Sequence, residues 1–520
     1  MKIAIYDKWI DALGGGEKVA TVMADTLSKA GHKVDLLSTF KPDVDNIEKK
    51  MFVDLSKVRI IALKERSHEK IAKRTSLYDV FINTSFLDLQ PSLAKKSIYY
   101  VHFPSQVKKT FLGLLKYEAV LPFLRKFLVI PHLQKGMDRI DDVYTRSGRW
   151  LDKENVIILS NPPKNFVCKF RVYSESITYS SLDCIKVVSS NAKLKLVDRS
   201  LDHATSTLSY SYKVESKDSS EVTMELLVKS SSKRRGLALV SLTVNSPRFL
   251  LWNFFKRYLP RYEMALYGSG SFKPEAGLET YSLFLSNSDF TKKWTKKYWQ
   301  KDSVVIYPPV DVTEFKPRKV KKNIILNVGR FFVGGHSKRQ DILIDTFKKL
   351  HDSGKNMRSW ELHLVGGIAG GWEHSEYVKN LKERARGYPI FFHFFADFKT
   401  LKNLYSSAKI YWHSTGYGQS VLRNPASFEH FGISVVEAMS AGCVPIVFRG
   451  GGLVETVDKE DGLTFKTANQ LVGITRDLVG NSVRMERLSK KYRIKSKKYS
   501  RKMFESKILR LVNTLNVNDK

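Results

Sequence analysis

The chain has 520 residues, too many for one hydrophobic core, so its length predicts two or three domains. Lysine and arginine number 87 against 52 aspartate and glutamate residues, and the net charge of +35 favours nucleic acid, an acidic lipid surface or a phosphorylated substrate as partner. Three cysteines are too few for a disulfide scaffold, lack metal-site spacing and predict a reducing compartment. No apolar run reaches about 18 residues, and the chain opens on a strand pattern rather than a signal peptide, so we expect a cytoplasmic protein.

The N-terminal segment has the pattern of an α/β domain. KIAIYD predicts a strand, a glycine turn follows, and an amphipathic helix ends at Gly31. Further strands are predicted at 34–37, 58–63 and 97–105. A strand–helix–strand unit of this length predicts a right-handed crossover in a parallel sheet. We therefore expect a Rossmann-like domain formed by residues 1–107 plus 246–310.

Residues 108–245 have a different pattern and are predicted to be an insertion. We expect helices over 108–150. The alternation of apolar and polar residues in TLSYSYKV, VTMELLV and LVSLTV predicts an antiparallel sheet over 151–245. The apolar stretch 111–131, flanked by lysine and arginine, fits either a segment in the membrane interface or a buried helical hairpin.

The α/β pattern returns after residue 310. Strands are predicted in NIILNVGR, WELHLVGG, PIFFHFF, KIYWHS and VPIVFRG, with helices between them. This pattern predicts a second doubly wound, Rossmann-like domain over 311–490. Residues 491–520 are predicted to be a basic helix or tail.

The stretch ASFEHFGISVVEAMSAGCVPIVF places two glutamates around the start of a helix. Glu429 lies in the loop at the carboxyl edge of the predicted sheet, and Glu437 lies one turn into a helix that begins near Ser434. Ligands bind at this edge of an open parallel sheet, and the helix N-terminus favours an anion. Each glutamate also has a plain alternative, because Glu437 fits a capping box and Glu429 fits a solvated loop acid.

These residues and those that follow them resemble the donor-binding segment of glycosyltransferase family 4, the retaining enzymes of the GT-B fold. Within that family the resemblance is closest to mannosyltransferases that extend lipid-linked oligosaccharides and envelope glycans. GGGEK, YYVHFPS, LSNSDFTKKW and VVIYPPVDVTEF resemble further segments of the family. The residues that carry the main signature are Glu429, Phe431, Gly432, Glu437, Ala438, Met439, Gly442, Pro445, Gly451, Gly452 and Glu455.

The resemblance implies a GT-B fold, in which two Rossmann-like doubly wound domains face a cleft, here with an inserted antiparallel β unit. It implies that Glu429 contacts the donor sugar and that Glu437 binds the ribose diol. It also implies that Arg330 and Lys338 hold the diphosphate in place of a metal ion and that His102 lies near the transferred sugar. The plain alternatives are two surface cations and a core histidine.

The remaining site residues predicted from the resemblance divide between the two sides of the cleft. The donor-binding side includes Phe431, Gly432, Ile433, Gly329 and His413. The acceptor-side loop includes Gly14, Gly15 and Gly16, for which a tight strand-to-helix turn is equally consistent.

The predicted function is a retaining, metal-independent transfer of a hexose, with mannose or glucose preferred. The donor is a GDP- or UDP-hexose, the acceptor is lipid-linked or a polysaccharide, and no cofactor is expected. The charge predicts peripheral binding to an anionic membrane on its inner face, whereas no nucleic-acid recognition motif is present, so no nucleic acid is expected. The alternatives are a sugar synthase or phosphorylase on the same fold, or a non-catalytic glycan- or polyanion-binding protein.

Overall fold

The computed structural model describes the chain in segments that form two compact units. The described residues are 1–39, 42–63, 68–106, 126–138, 149–174, 185–202, 207–216, 221–228, 237–258, 274–369 and 372–517. One unit comprises Met1–Lys108, Phe272–Ala369 and His374–Lys520, and the other comprises Lys109–Ser271 with Gly370–Glu373. The first unit holds two α/β domains, and the second holds an antiparallel sheet.

The first domain has a parallel sheet of seven strands among the described residues. In spatial order the strands are Val304–Val305, Leu283–Ser286, Lys96–Val101, Val80–Asn83, Lys2–Tyr6, Lys33–Ser38 and Val58–Ala62. The helices are Ile10–Ala12 (3₁₀), Gly15–Lys29, Val44–Met51, His68–Thr75, Pro274–Glu279 and Asp289–Trp299. The central strands are almost continuously apolar because both faces of the sheet are covered.

The second domain has a parallel sheet of six strands among the described residues. In spatial order they are Ile390–Phe394, Glu361–Gly366, Lys322–Val328, Ala408–His413, Val444–Phe448 and Thr464–Phe465. Its helices are Gln340–Asp352, Lys355–Met357 (3₁₀), Trp372–Ala385, Phe398–Ser407, Pro425–Ser427 (3₁₀), Ile433–Ser440, Leu453–Thr456, Lys459–Asp461 (3₁₀), Ala468–Gly480, Ser482–Ser496 and Lys497–Tyr499 (3₁₀). The strand order reverses between Lys322–Val328 and Ala408–His413, and this switch point is where open parallel sheets bind ligands.

The chain passes between the two α/β domains twice, at neighbouring positions. Val310 and Ser500 form a parallel bridge, and the Arg501 N–H donates to the Val310 carbonyl oxygen at 2.9 Å. The last helix, Arg501–Val517, then packs on the first domain rather than the second. It buries Phe504, Ile508 and Val512 there, and each such side chain stabilises the fold by about 1.5–3 kcal/mol. The part of the predicted basic tail that forms this helix therefore packs into the first domain's core, whereas Tyr492 of the same tail is buried in the core of the second domain.

The antiparallel unit confirms the predicted β pattern. Its strands are Ile130–Asp138, Arg149–Ser160, Asn165–Ser174, Ile185–Val188, Ala192–Asp202, Thr207–Ser216, Glu221–Val228 and Leu237–Val244. In Thr207–Ser216 the alternate residues Leu208, Tyr210, Tyr212 and Val214 are buried, as the period of two predicts.

Two boundaries of this unit differ from the prediction. Residues 130–138 form a strand rather than part of a helical segment, because they pair with Arg149–Ser160 and because Ile130 enters the core of the antiparallel sheet. The helix Pro247–Tyr258 also belongs to this unit rather than to the first domain, since Phe249 and Trp252 are buried in the same core.

Most of the apolar stretch 111–131 lies outside the described residues, so its two interpretations both remain open. Within the described part of the chain, no helix is both long and apolar enough to cross a membrane.

Candidate functional site

The loop 329–339 follows the strand Lys322–Val328 at the switch point and carries the predicted cations. A Cβ atom on Gly329 would lie 2.7 Å from Cγ of Lys338, so glycine is needed for the lysine side chain to cross the strand end. A Cβ atom on Gly366 would lie 2.1 Å from the Gly329 carbonyl oxygen, so the neighbouring strand end packs backbone against backbone. These close approaches direct Lys338 along the edge of the sheet.

The Glu429 carboxylate lies among basic side chains. The Lys338 ammonium forms an ion pair with Oε2, and Nε2 of His413 lies 3.1 Å from the same oxygen. Nε2 of His336 lies 3.6 Å from Oε1. Only 13% of the Glu429 side chain is exposed, so water screens these charges weakly.

The surroundings of Glu429 determine its charge. Burial alone would raise the pKa of Glu429, but the charge of Lys338 and the adjacent rings of His336 and His413 hold it well below its ordinary value. Burial lowers the pKa of His413, although the adjacent carboxylate opposes the shift. At neutral pH the site therefore holds an ionised carboxylate beside a charged lysine and a neutral His413.

A glycine turn fixes the backbone on which Glu429 stands. A Cβ atom on Gly451 would lie 2.2 Å from the Glu429 carbonyl oxygen, and one on Gly452 would lie 2.0 Å from that of His430. The Gly452 N–H donates to the Glu429 carbonyl oxygen at 2.7 Å. The two glycines therefore allow two loops to touch, which sets the direction of the Glu429 side chain.

Glu437 has a different environment one turn into the helix Ile433–Ser440. The predicted capping box is absent, because the N-cap residue is Gly432, with φ of 95°, and no side chain caps this helix. The Tyr405 hydroxyl instead donates to Oε2 of Glu437 at 2.9 Å. Burial raises the pKa of Glu437 to about 7, against the opposing charge of Lys18 and the Tyr405 hydrogen bond.

The three cations of the 329–339 loop have different contacts. Arg330 is exposed, with its guanidinium 5.8 Å from the centroid of the Phe332 ring, so its charge is open to an anionic ligand. Arg339 forms an ion pair with Asp341 at 2.8 Å. Lys338, and not Arg339, reaches the buried carboxylate.

The first domain contributes its glycine loop and His102. A Cβ atom on Gly15 would lie 2.7 Å from Cδ1 of Ile433, and one on Gly16 would lie 3.4 Å from the His102 ring. Nε2 of His102 donates to the Thr84 carbonyl oxygen at 2.8 Å, and burial lowers the pKa of His102 to about 4 despite this bond. The ring is therefore neutral, with Nδ1 free of a proton.

Two predicted residues make contacts that support the site. The Gly14 N–H donates to a Glu17 carboxylate oxygen at 2.7 Å where the first long helix begins. Phe431 is buried, with its ring centroid 5.5 Å from that of Tyr307 and 5.4 Å from that of Tyr499. The Phe431 side chain therefore packs where the chain passes between the domains.

Two histidines at the site are not predicted from the sequence. His336, with φ of 70°, lies in the 329–339 loop and approaches Glu429. His430 stacks on Phe103 with ring centroids 4.3 Å apart, and burial lowers the pKa of His430 well below its ordinary value. His430 lies inside the sequence signature, so the sequence could have identified it. His336 could not be identified from the sequence, because only the folded path of the glycine-rich loop brings it to Glu429.

Two further contacts join the α/β domains beside the site. The Glu455 carboxylate accepts hydrogen bonds from the backbone N–H groups of Asp289 at 2.9 Å and Phe290 at 2.7 Å. Lys18 forms an ion pair with Asp311. Burial raises the pKa of Glu455 to about 7. Glu455 belongs to the sequence signature, but only the fold shows that it reaches the other domain.

Comparison with known proteins defines the class of this fold. Residues 311–495, which cover most of the second domain, match the family described as "Glycosyl transferases group 1". The chain is also similar over 99% of its length to the crystal structure of Anabaena Alr3699/HepE in complex with UDP and glucose, at 12% identity and a TM-score of 0.51, with 99% of that chain covered. The two parallel sheets form the two Rossmann-like domains of the GT-B fold, into which an antiparallel sheet is inserted, and the predicted fold class is confirmed.

Two curated proteins are similar to part of this chain in sequence. The "GDP-Man:Man(3)GlcNAc(2)-PP-Dol alpha-1,2-mannosyltransferase" of Dictyostelium discoideum is 25% identical over 249 residues, 45% of this chain and 47% of the relative. The "Alpha-1,3/1,6-mannosyltransferase ALG2" of Homo sapiens is 28% identical over 199 residues, 34% of this chain and 44% of the relative. The chain thus spans less than half the length of these relatives.

Proposed function

We propose that this chain is a retaining glycosyltransferase of family 4 that moves a hexose from a GDP- or UDP-linked donor to a lipid-linked or polysaccharide acceptor. The observation that carries the proposal is the ionised Glu429 carboxylate held among Lys338, His336 and His413 at the switch point of the second sheet. During such a transfer, positive charge develops on the sugar and negative charge on the diphosphate. Fixed charges of both signs in a buried site suit that reaction.

The diphosphate would lie against Arg330, Lys338 and the N-terminus of the helix Ile433–Ser440. Arg330 is exposed to a ligand, and the first N–H groups of the helix have no partners within it. Removal of one such preorganised donor typically lowers a rate by about 10²–10³-fold. Because these side chains and N–H groups supply the positive charge, we propose that no divalent metal ion is required.

Glu429 is suited to stabilise charge rather than to move a proton. Its pKa is held well below the ordinary value, so it is a weak base at neutral pH. We assign it to the sugar hydroxyls and to the positive charge at the anomeric carbon. The bond from that carbon to the diphosphate oxygen breaks, a bond to the acceptor oxygen forms on the same face, and the acceptor proton passes to the departing phosphate oxygen.

Glu437 and His102 complete the assignment. The Glu437 carboxylate, beside Tyr405, accepts hydrogen bonds from the ribose diol of the donor. His102 carries a neutral ring with an unprotonated Nδ1, which can accept a hydrogen bond from a sugar hydroxyl. The glycine loop of the first domain would face the acceptor.

The relatives and the charge support the choice of substrates. The curated relatives are named as mannosyltransferases, one of them for GDP-mannose and a dolichol-linked acceptor, so we propose mannose first and glucose second. The net charge of +35 favours docking on the anionic inner face of a membrane, where a lipid-linked acceptor resides.

The first experiment is release of nucleoside diphosphate from GDP-mannose, GDP-glucose, UDP-glucose and UDP-N-acetylglucosamine, each with and without EDTA. We expect release from one hexose donor, undiminished by EDTA and lowered at least about 100-fold in Glu429→Gln. A polyisoprenyl-diphosphate oligosaccharide should accelerate release, and NMR of the product should show the donor's anomeric configuration.

Other outcomes point to the alternatives. Release that requires phosphate or a soluble sugar phosphate indicates a synthase or phosphorylase. Binding of diphosphates without release, in the presence of lipid-linked acceptor, contradicts the proposed activity and favours a binding protein.

A further inference from the structure

Phe395 combines an unfavourable backbone conformation with exposure to solvent. It follows the strand Ile390–Phe394 with φ of 51°, and 71% of the residue is exposed. A bulky side chain is rarely found in the left-handed region, because its Cβ atom crowds the backbone. Phe52 and Gln300 share this conformation, but each ends a helix, where it is common. Phe395 ends no helix and gains little by burial, so its conformation calls for another explanation.

The position of Phe395 links it to the diphosphate site. Its N–H donates to the Gly366 carbonyl oxygen at 3.1 Å, and its ring would lie 3.4 Å from a Cβ atom on Gly367. Gly366 in turn packs against Gly329, next to Arg330. The loops that follow three adjacent strands therefore meet, and the aromatic ring lies about 10 Å across the sheet edge from the loop that carries the cations.

Short-range contacts fix the backbone on both sides of Phe395. The side-chain-free Gly367 lets the ring lie against the backbone, and the Phe331 N–H donates to the Gly367 carbonyl oxygen at 2.9 Å. On the other side, Asp397 caps the next helix by accepting the Thr400 N–H at 2.7 Å. The backbone at the carboxyl edge of the second sheet thus presents an exposed aromatic face.

We propose that the Phe395 ring stacks on the nucleobase of the donor. The inference rests on the proposed function, because it extends the donor site from the diphosphate and the ribose to the base. Every base has a π-face, and stacking on an aromatic side chain contributes substantially to affinity without reading the base's hydrogen-bonding pattern. The larger face of guanine should gain more than that of uracil. Contact with the base offsets the unfavourable conformation of Phe395, which a glycine would adopt freely.

The test separates base contact from diphosphate contact. Dissociation constants for GDP, UDP and inorganic pyrophosphate are measured by calorimetry for the wild type, Phe395→Gly and Phe395→Trp. We expect Phe395→Gly to weaken GDP binding roughly 5- to 100-fold and UDP binding less, with no change for pyrophosphate. Phe395→Trp should retain GDP affinity. The thermal midpoint of Phe395→Gly should not fall, because glycine relieves the backbone crowding.

A matched control comes from the other end of the same strand. Phe391 is 44% exposed, and its ring centroid lies 5.0 Å from that of His363. Phe391→Leu should leave all three dissociation constants unchanged, whereas Phe395→Leu should weaken GDP binding.

The outcomes distinguish this inference from the proposed function. Equal weakening of GDP and pyrophosphate in Phe395→Gly, or unchanged GDP affinity, overturns the stacking role even if hexose transfer is found. If Phe395→Gly selectively loses GDP affinity but the wild type turns over no sugar donor, the stacking role is supported and the proposed transferase activity is overturned. Failure of the wild type to bind any of the three ligands overturns both.

Discussion

Two glutamates of the signature, Glu429 and Glu437, lie eight positions apart, yet their surroundings shift their pKa values in opposite directions. Glu429 is buried against Lys338 and two histidines, and its pKa is held well below its ordinary value. The Glu437 carboxylate instead accepts a hydrogen bond from the neutral hydroxyl of Tyr405, and burial raises its pKa to about 7.

The difference shows that the cationic loop, rather than the helix, creates the charge at the site. Both glutamates lie near the same helix N-terminus, but only Glu429 receives a lysine from the 329–339 loop. Divergent pKa values in a pair of carboxyl groups commonly mark separate roles. Glu429 is an anion at neutral pH, whereas Glu437 changes its charge near neutral pH.

Removal of the lysine should have the largest effect on the comparison. We expect Lys338→Met to lower kcat/KM for the best donor by about 100-fold, because it removes a charge from the proposed diphosphate site and removes the partner of Glu429. The matched variant is Arg339→Met, which loses a contact with Asp341 but no contact with Glu429, and it should lower kcat/KM less than about tenfold. Equal losses in two variants with wild-type circular dichroism would contradict the assignment of Lys338.

The second prediction compares the two glutamates by stability. Glu429→Gln leaves the charge of the largely buried Lys338 side chain without its anionic partner and should destabilise the fold by about 2 kcal/mol at pH 7. The depressed pKa of Glu429 contributes stability above its ordinary, unfolded value of about 4.5, and this contribution is lost as pH falls through the lower folded value. The deficit of Glu429→Gln, followed by thermal unfolding, should therefore shrink in acid.

Glu437→Gln should show the opposite pH dependence of stability. The raised pKa of Glu437 contributes stability fully below about 4.5, and that contribution is lost as pH rises through about 7. Glutamine should thus be neutral or stabilising at pH 8. A deficit like that of Glu429→Gln at pH 8 would show that the two environments are not as different as the geometry indicates.

The smallest expected effect concerns nucleotide affinity. Ionised Glu437 can accept two hydrogen bonds from a ribose diol, and the protonated acid accepts them less well. Between pH 6 and pH 8, the affinity of the wild type for GDP should therefore rise several-fold more than that of Glu437→Gln, as measured by calorimetry. The same pH dependence of GDP affinity in the two proteins would contradict a contact between Glu437 and the ribose.

Much of the fold follows from local patterns in the sequence. Apolar strands that alternate with amphipathic helices predict both parallel sheets, and the alternation in TLSYSYKV predicts the antiparallel one. The predicted boundaries at 150/151 and 245/246 leave the strand Ile130–Asp138 and the helix Pro247–Tyr258 out of the antiparallel sheet unit, because Ile130 and Trp252 find their partners in distant strands. No local period encodes that pairing.

The candidate site is likewise only partly predictable from the sequence. The signature locates Glu429 and Glu437, but their charge states depend on Lys338 and Tyr405, which arrive from separate loops and helices. His336 and Phe395 are missed because their importance lies in backbone conformation and position, which residue type alone does not reveal.

The return of the last helix to the first domain affects how the chain matures. Phe504, Ile508 and Val512 fill the core of the first domain, although in the chain they follow the whole of the second domain. The first domain therefore cannot complete its packing until the second domain has been synthesised. The second domain and the antiparallel unit can be folded by then, so the two halves of the cleft are finished in the reverse of the order in which they are begun.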